Sequence, residues 1–131
     1  MPSVADVAVV TSPAAAAIAA TPLPPSDSKI HTWGSSTLLR ADMRHQLLLL
    51  SITPDAGMAA NYHLHRRKRW VVLNGLLQLE LNGETRRVRA GETVEINEEV
   101  VHALHNIGKI PAEIYEVQIG EYFGDDDITL V

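Results

Sequence analysis

From Ile30 to the last residue, no window of about twelve residues sustains a helical period. The chain instead advances in short apolar runs that stop at turn residues. Residues 46–53 (QLLLLSIT) end at Pro54-Asp55-Ala56-Gly57, and residues 70–73 (WVVL) stop at Asn74-Gly75. Residues 76–81 (LLQLEL) stop at Asn82-Gly83, a two-residue hairpin signal answered by residues 85–89, where Arg87 and Arg89 alternate with Val88. Residues 93–97, 101–106 and 112–120 continue the series. In the last of these, Ile114, Glu116 and Gln118 share one parity and Tyr115, Val117 and Ile119 the other, a period of two. Many short strands at spacings of roughly 8–12 residues predict an all-β sandwich or closed barrel, closure being the solution that removes exposed sheet edges.

A length of 131 residues allows one domain. The first 29 residues are rich in alanine and closed by Pro22, Pro24 and Pro25, and they predict a flexible extension ahead of a folded domain at 30–131. They lack a basic start and a dense apolar stretch, so no secretory signal is expected, and no run approaches the roughly 18 apolar residues of a membrane span. A cytoplasmic protein is the default expectation. A net charge of −5 argues against nucleic acid as a partner, and the absence of cysteine excludes disulfides, thiolate metal sites and cysteine nucleophiles.

Asn61, His63 and His65 recur at period two, which on one strand points them to a single face, and His102 follows in a separate strand. Imidazoles gathered from neighbouring strands of a small barrel are a common way to hold a divalent metal. Neutral nitrogen donors suit zinc, iron, nickel or copper. Half-buried histidines without a metal are the plainer alternative. The run His65-Arg66-Arg67-Lys68-Arg69 concentrates positive charge in an acidic chain, either as an anion pocket at the barrel mouth or as a solvated rim balancing Asp125, Asp126 and Asp127. Trp70 reads as core, and Trp33 as packing at the barrel opening or a dimer interface. Glu95, Glu98 and Glu99 are candidates for a base or a further carboxylate ligand.

Residues 31–130 resemble the C-terminal cupin domain of type II mannose-6-phosphate isomerases, the part often fused to a mannose-1-phosphate guanylyltransferase. The resemblance rests on Thr32-Trp33-Gly34-Ser35, Asn61-Tyr62-His63-Leu64-His65-Arg66, Trp70-Val71-Val72-Leu73-Asn74-Gly75, His102-Ala103-Leu104-His105-Asn106 and the closing EIYEVQIGEYFGDDDI. It implies a small cupin barrel (a double-stranded β-helix, or jelly roll), a homodimer, and aldose–ketose isomerisation of a small phosphorylated sugar for polysaccharide synthesis. It also implies a divalent metal such as zinc, iron, manganese or nickel on His63, His65 and His102, with Asn61 as a weak fourth ligand. Arg66 matches a family arginine and is expected to bind the phosphate, with Lys68 beside it.

The departures from the family fall at the chemistry. Asn61 stands where the family has glutamine, Arg69 where it has a histidine, and Asn97 and Glu99 where it has proline and glycine. An Arg- and Tyr-containing segment that the family carries past its barrel is not matched up to Val131. Lys68 takes the place of the family's metal-binding glutamate. At about 5 Å from a dication, with an effective dielectric near 20, its repulsion amounts to roughly 7 kcal/mol. That empties the site unless the ammonium swings out to water and leaves three histidines. Two other readings therefore stand beside the isomerase: a non-catalytic module for a phosphosugar or nucleotide sugar, and a three-histidine metal cupin acting on another small molecule. No catalytic residue is assigned from sequence.

Overall fold

The computed structural model describes residues 28–131. The expected extension lies outside the described residues except for its last two positions, Ser28 and Lys29, which already belong to the first strand. The strands are β1 (Ser28–His31), β2 (Gly34–Ala41), β3 (His45–Ile52), β4 (Gly57–Tyr62), β5 (Arg66–Asn74), β6 (Leu76–Leu81), β7 (Glu84–Arg89), β8 (Thr93–Ile96), β9 (His102–Asn106), β10 (Ala112–Gly120) and β11 (Thr129–Leu130). A short 3-10 turn covers Asp125–Asp127. Among the described residues no helix is long and apolar enough to cross a membrane.

Two antiparallel sheets face each other, one in the order β1-β2-β3-β10-β5-β8 and the other β11-β4-β9-β6-β7. The Asn82-Gly83 turn forms as expected. Both residues take positive φ (48° and 87°), which joins β6 to β7 with Leu81 opposite Glu84. Asn74-Gly75 plays a different part, since the chain crosses there from the first sheet to the second. Gly75 has φ of 98°, and a Cβ on it would lie 2.7 Å from the Ala112 Cβ, so the corner requires glycine.

The core is made by inward positions of both sheets, among them Leu50, Ile52, Trp70, Val72, Leu77, Leu79, Leu104 and Ile114. Full burial of each large apolar side chain contributes about 1.5–3 kcal/mol. This apolar packing fills one end of the barrel. Toward the other end the inward positions of β5 and β10 turn polar: Arg66, Lys68, Glu116 and Gln118 are all buried. Lys68 lies opposite Gln118, and Trp70 opposite Glu116. β5 is longer than its apolar run because alternate cations of the basic stretch point inward to these partners. Arg67 and Arg69 point outward, where they meet Glu98 at 3.2 Å and Glu95 at 3.1 Å. The outer cations are therefore balanced by β8 and its loop rather than by the Asp125–Asp127 turn.

Candidate functional site

β4 ends at Tyr62, and residues 63–65 form a bend rather than a continuation of the strand. The cause is Asp127, buried at 6% exposure. Its carboxylate accepts the backbone N–H groups of Leu64 (3.0 Å) and His65 (3.1 Å). Those donors are thereby withdrawn from any ladder and the alternation of side chains is broken. His63 stays inside, but His65 is exposed and sits edge-on to Tyr122 at 6.3 Å. Asn61 lies on the cavity wall, its Nδ2 donating to the Ala59 carbonyl at 2.8 Å. The period-two reading of Asn61, His63 and His65 thus fails at the bend, and the three-histidine set is not assembled.

His63 and His102 do come together, with ring centroids 5.5 Å apart and planes tilted by 44°. Each Nδ1 lies 2.9 Å from a backbone carbonyl, that of Asp127 for His63 and of Val100 for His102. A carbonyl only accepts, so each ring carries its proton on Nδ1 and presents a bare Nε2. Both Nε2 atoms are buried and lack a hydrogen-bond partner. Burial above all, and next the charge of Lys68, push each imidazole down to about 4. At neutral pH both rings are uncharged.

Lys68 does not swing out to water. Its side chain is 10% exposed, and Nζ lies 3.4 Å from Oε1 of Glu116, which is 4% exposed. Glu116 is the hub of the site: Trp70 Nε1 donates to Oε1 at 2.8 Å and Gln118 Nε2 to Oε2 at 2.6 Å. Burial raises the Glu116 pKa, but the charge of Lys68 and these hydrogen bonds outweigh it and leave the carboxyl lowered. A buried ion pair survives desolvation only with such extra donors. Arg66 extends the network, giving Nη1 to Gln118 Oε1 (3.1 Å) and the Phe123 carbonyl (3.2 Å), and Nη2 to the Gly124 carbonyl (3.0 Å). Its Nε is 3.6 Å from Asp127 Oδ2. The arginine expected to bind phosphate is largely occupied in fastening the C-terminal segment across the barrel end.

A divalent metal does not fit these donors. Among the described residues no three His, Asp or Glu side chains converge as a ligand set. The two imidazoles that do converge feel the charge of a buried ammonium, which disfavours a further cation beside them. Glu95 and Glu98 are spent on outward arginines. Glu99 is exposed with φ of 67°, and its N–H is tied to the His63 carbonyl at 2.7 Å. Asn106 is structural: buried, it donates to the Ile52 and Ile110 carbonyls and accepts from Gly108 N–H.

Beside this cluster a cavity of about 560 Å³ opens, with Trp33, Asn61, His63, Lys68, Glu116 and Gln118 among its lining residues. Its volume lies within the range of about 300–1,000 Å³ usual for small-molecule sites. Trp33 stacks on His31 at 4.4 Å with planes 5° apart, forming a flat aromatic wall. Sequence reasoning did not single out Glu116, Gln118 or Asp127. The available signal was two polar residues on the same parity as the core residue Ile114.

Two facing antiparallel sheets with a polar site at one end define a cupin barrel. The cupin domain of Schizosaccharomyces pombe Cnp3 superposes with a TM-score of 0.66 at 13% identity over 79% of this chain and 71% of that one. A double-stranded β-helix protein of Klebsiella pneumoniae gives 0.66 at 17% identity, over 85% and 84%. Lactobacillus farciminis oxalate decarboxylase gives 0.69 at 14%, over 79% and 33%. At such identities the likeness concerns fold alone.

Within that class, the chain belongs to the mannose-6-phosphate isomerase C-terminal family, whose model matches residues 26–131. It is 33% identical over 97 residues to the mannose-1-phosphate guanylyltransferase ManC of Salmonella typhimurium, covering 74% of this chain and 20% of that protein. It is 36% identical over 96 residues to the alginate biosynthesis protein AlgA of Pseudomonas aeruginosa, covering 73% and 20%. The chain spans about a fifth of the length of these relatives.

Proposed function

We propose that this cupin domain takes a phosphorylated aldose of the mannose type into its barrel mouth, as part of polysaccharide synthesis in the cytoplasm. The cavity carries this reading. Its Trp33–His31 wall offers a flat apolar surface to the C–H face of a sugar ring, and the Asn61 and Gln46 carboxamides offer partners for hydroxyls. Lys29 and Lys68 supply positive charge for a phosphate. The biosynthetic names of the relatives supply the sugar.

Binding without isomerisation is the form the geometry favours. A base must come within about 3 Å of the proton it removes. Both Nε2 atoms are shut away from the cavity's solvent, and Glu116 is already engaged by three donors. The isomerase reading remains as the alternative because two uncharged imidazoles and an ammonium would suffice to shuttle a proton and polarise a carbonyl if the cluster opened. Calorimetry with mannose 6-phosphate, mannose 1-phosphate and GDP-mannose, with a coupled assay for fructose 6-phosphate, separates the readings. Heat of binding without fructose 6-phosphate is the expected result, turnover would move the assignment to isomerase, and no binding of any of the three would remove the sugar-phosphate reading.

A second copy of this chain is the partner we expect on the outward face of the six-stranded sheet. Leu49 and Val71 flank Tyr115 there, and Leu47 pairs with Val117. Tyr115 and Ile119 are 39% and 48% exposed. Light scattering after size exclusion should give twice the chain mass, and Tyr115→Glu should halve it.

A further inference from the structure

The polar end of the barrel has the shape of an ion site yet the wrong charges for one. Two imidazoles are fixed with Nε2 lone pairs inward, and a buried carboxylate, Glu116, lies on β10 of the other sheet. Buried acceptors without partners are costly, and this arrangement ordinarily calls for a cation. The cation nearby belongs to the chain itself. Lys68 enters from β5, is held by Glu116 and lines the same cavity as His63, while neither imidazole Nε2 accepts a hydrogen bond from it.

We propose that the Lys68 ammonium supplies the fixed positive charge that a metal ion would bring to this end of the barrel. The domain then meets its ligand with a fixed organic cation and does not hold a divalent metal. The ammonium is bound covalently, so its charge is present in every molecule whatever the supply of metal. It also reaches the cavity, where it donates hydrogen bonds to an oxygen-rich ligand, a phosphate or sugar hydroxyl, as a compact point charge. Glu116 has a positioning role: Trp70 and Gln118 orient its carboxylate, and the carboxylate holds the ammonium.

The inference leans on the sugar-phosphate reading only for the ligand's identity. Its test contains no sugar, so the two fail separately. Protein purified without metal-affinity steps is titrated with Co²⁺ and followed by visible absorption, while long-range ¹H–¹⁵N spectra record the imidazole nitrogens with and without Zn²⁺. The natural chain should show no Co²⁺ ligand-field bands up to millimolar metal, and its His63 and His102 resonances should stay in place. K68E, which replaces the ammonium with a carboxylate, should acquire the bands with affinity raised on the order of 100-fold and lose them again in K68E/H102A. Bands in the natural chain at micromolar Co²⁺ that vanish in H63A would overturn the proposal, as would a folded K68E that binds no better than the natural chain. If K68E fails to fold, the natural chain's titration and spectra decide alone.

Discussion

Lys68 and Glu116 allow the energetic argument to be tested against a control in the same molecule. Their charged atoms are 3.4 Å apart with side chains 10% and 4% exposed, whereas Arg69 and Glu95 are 3.1 Å apart with side chains 58% and 53% exposed. Distance alone would make the outer pair the stronger. At an effective dielectric near 20, the buried pair attracts by about 5 kcal/mol, while the outer pair is screened by water and salt to between 0 and about 1 kcal/mol. Lys68→Met preserves the stem's volume and strands the Glu116 carboxylate; Glu116→Gln keeps an acceptor for Trp70 and strands the ammonium. Each single change should cost about 3–5 kcal/mol. The double variant should cost little more than either, which gives a coupling near 3 kcal/mol. The same cycle on Arg69 and Glu95 should give under about 1 kcal/mol. Urea unfolding at pH 7 measures both cycles. Equal couplings for the two pairs would refute the claim that the ammonium is locked inside the barrel.

Three further outcomes follow from the same geometry. Because His63 and His102 sit near 4 in the folded chain against 6.5 when free, only the unfolded chain takes up their protons between those values. Stability should therefore be full above pH 6.5 and fall by about 3 kcal/mol per imidazole as pH drops toward 4, and unfolding midpoints of H63Q and H102Q should show a shallower slope. Glu99 holds φ of 67°, a conformation that favours glycine, so Glu99→Gly should raise the melting temperature by a few degrees, about 1 kcal/mol. Asp127→Ala should release the 63–65 bend and cost about 2–4 kcal/mol, whereas His65→Ala should stay within about 0.5 kcal/mol in the same melts.

The fold was legible where local chemistry decides it. Asn82-Gly83 can hardly avoid a tight hairpin, and the alternation in residues 112–120 matches β10 residue for residue. β1 and β2 carried no such signal: Ser28–Ala41 mixes serines, threonines and charged residues, and β2 is held between β1 and the apolar β3. In the site, His63 and His102 were found because imidazoles are rare and conspicuous. His65 was misplaced because period-two counting assumes an unbroken strand, and the residue that breaks it, Asp127, lies more than sixty positions away. Lys68 illustrates the same limit. An isolated lysine belongs in water, and only the cross-strand neighbours Glu116 and Gln118, buried beside Trp70, make the interior hospitable to it.

Anomalous diffraction from crystals soaked in zinc addresses the polar end of the barrel most directly. The account predicts no zinc peak between the two imidazoles, with Lys68 Nζ still resting on the Glu116 carboxylate. A strong peak at about 2.0–2.1 Å from Nε2 of both His63 and His102, with the lysine turned out toward solvent, would contradict it.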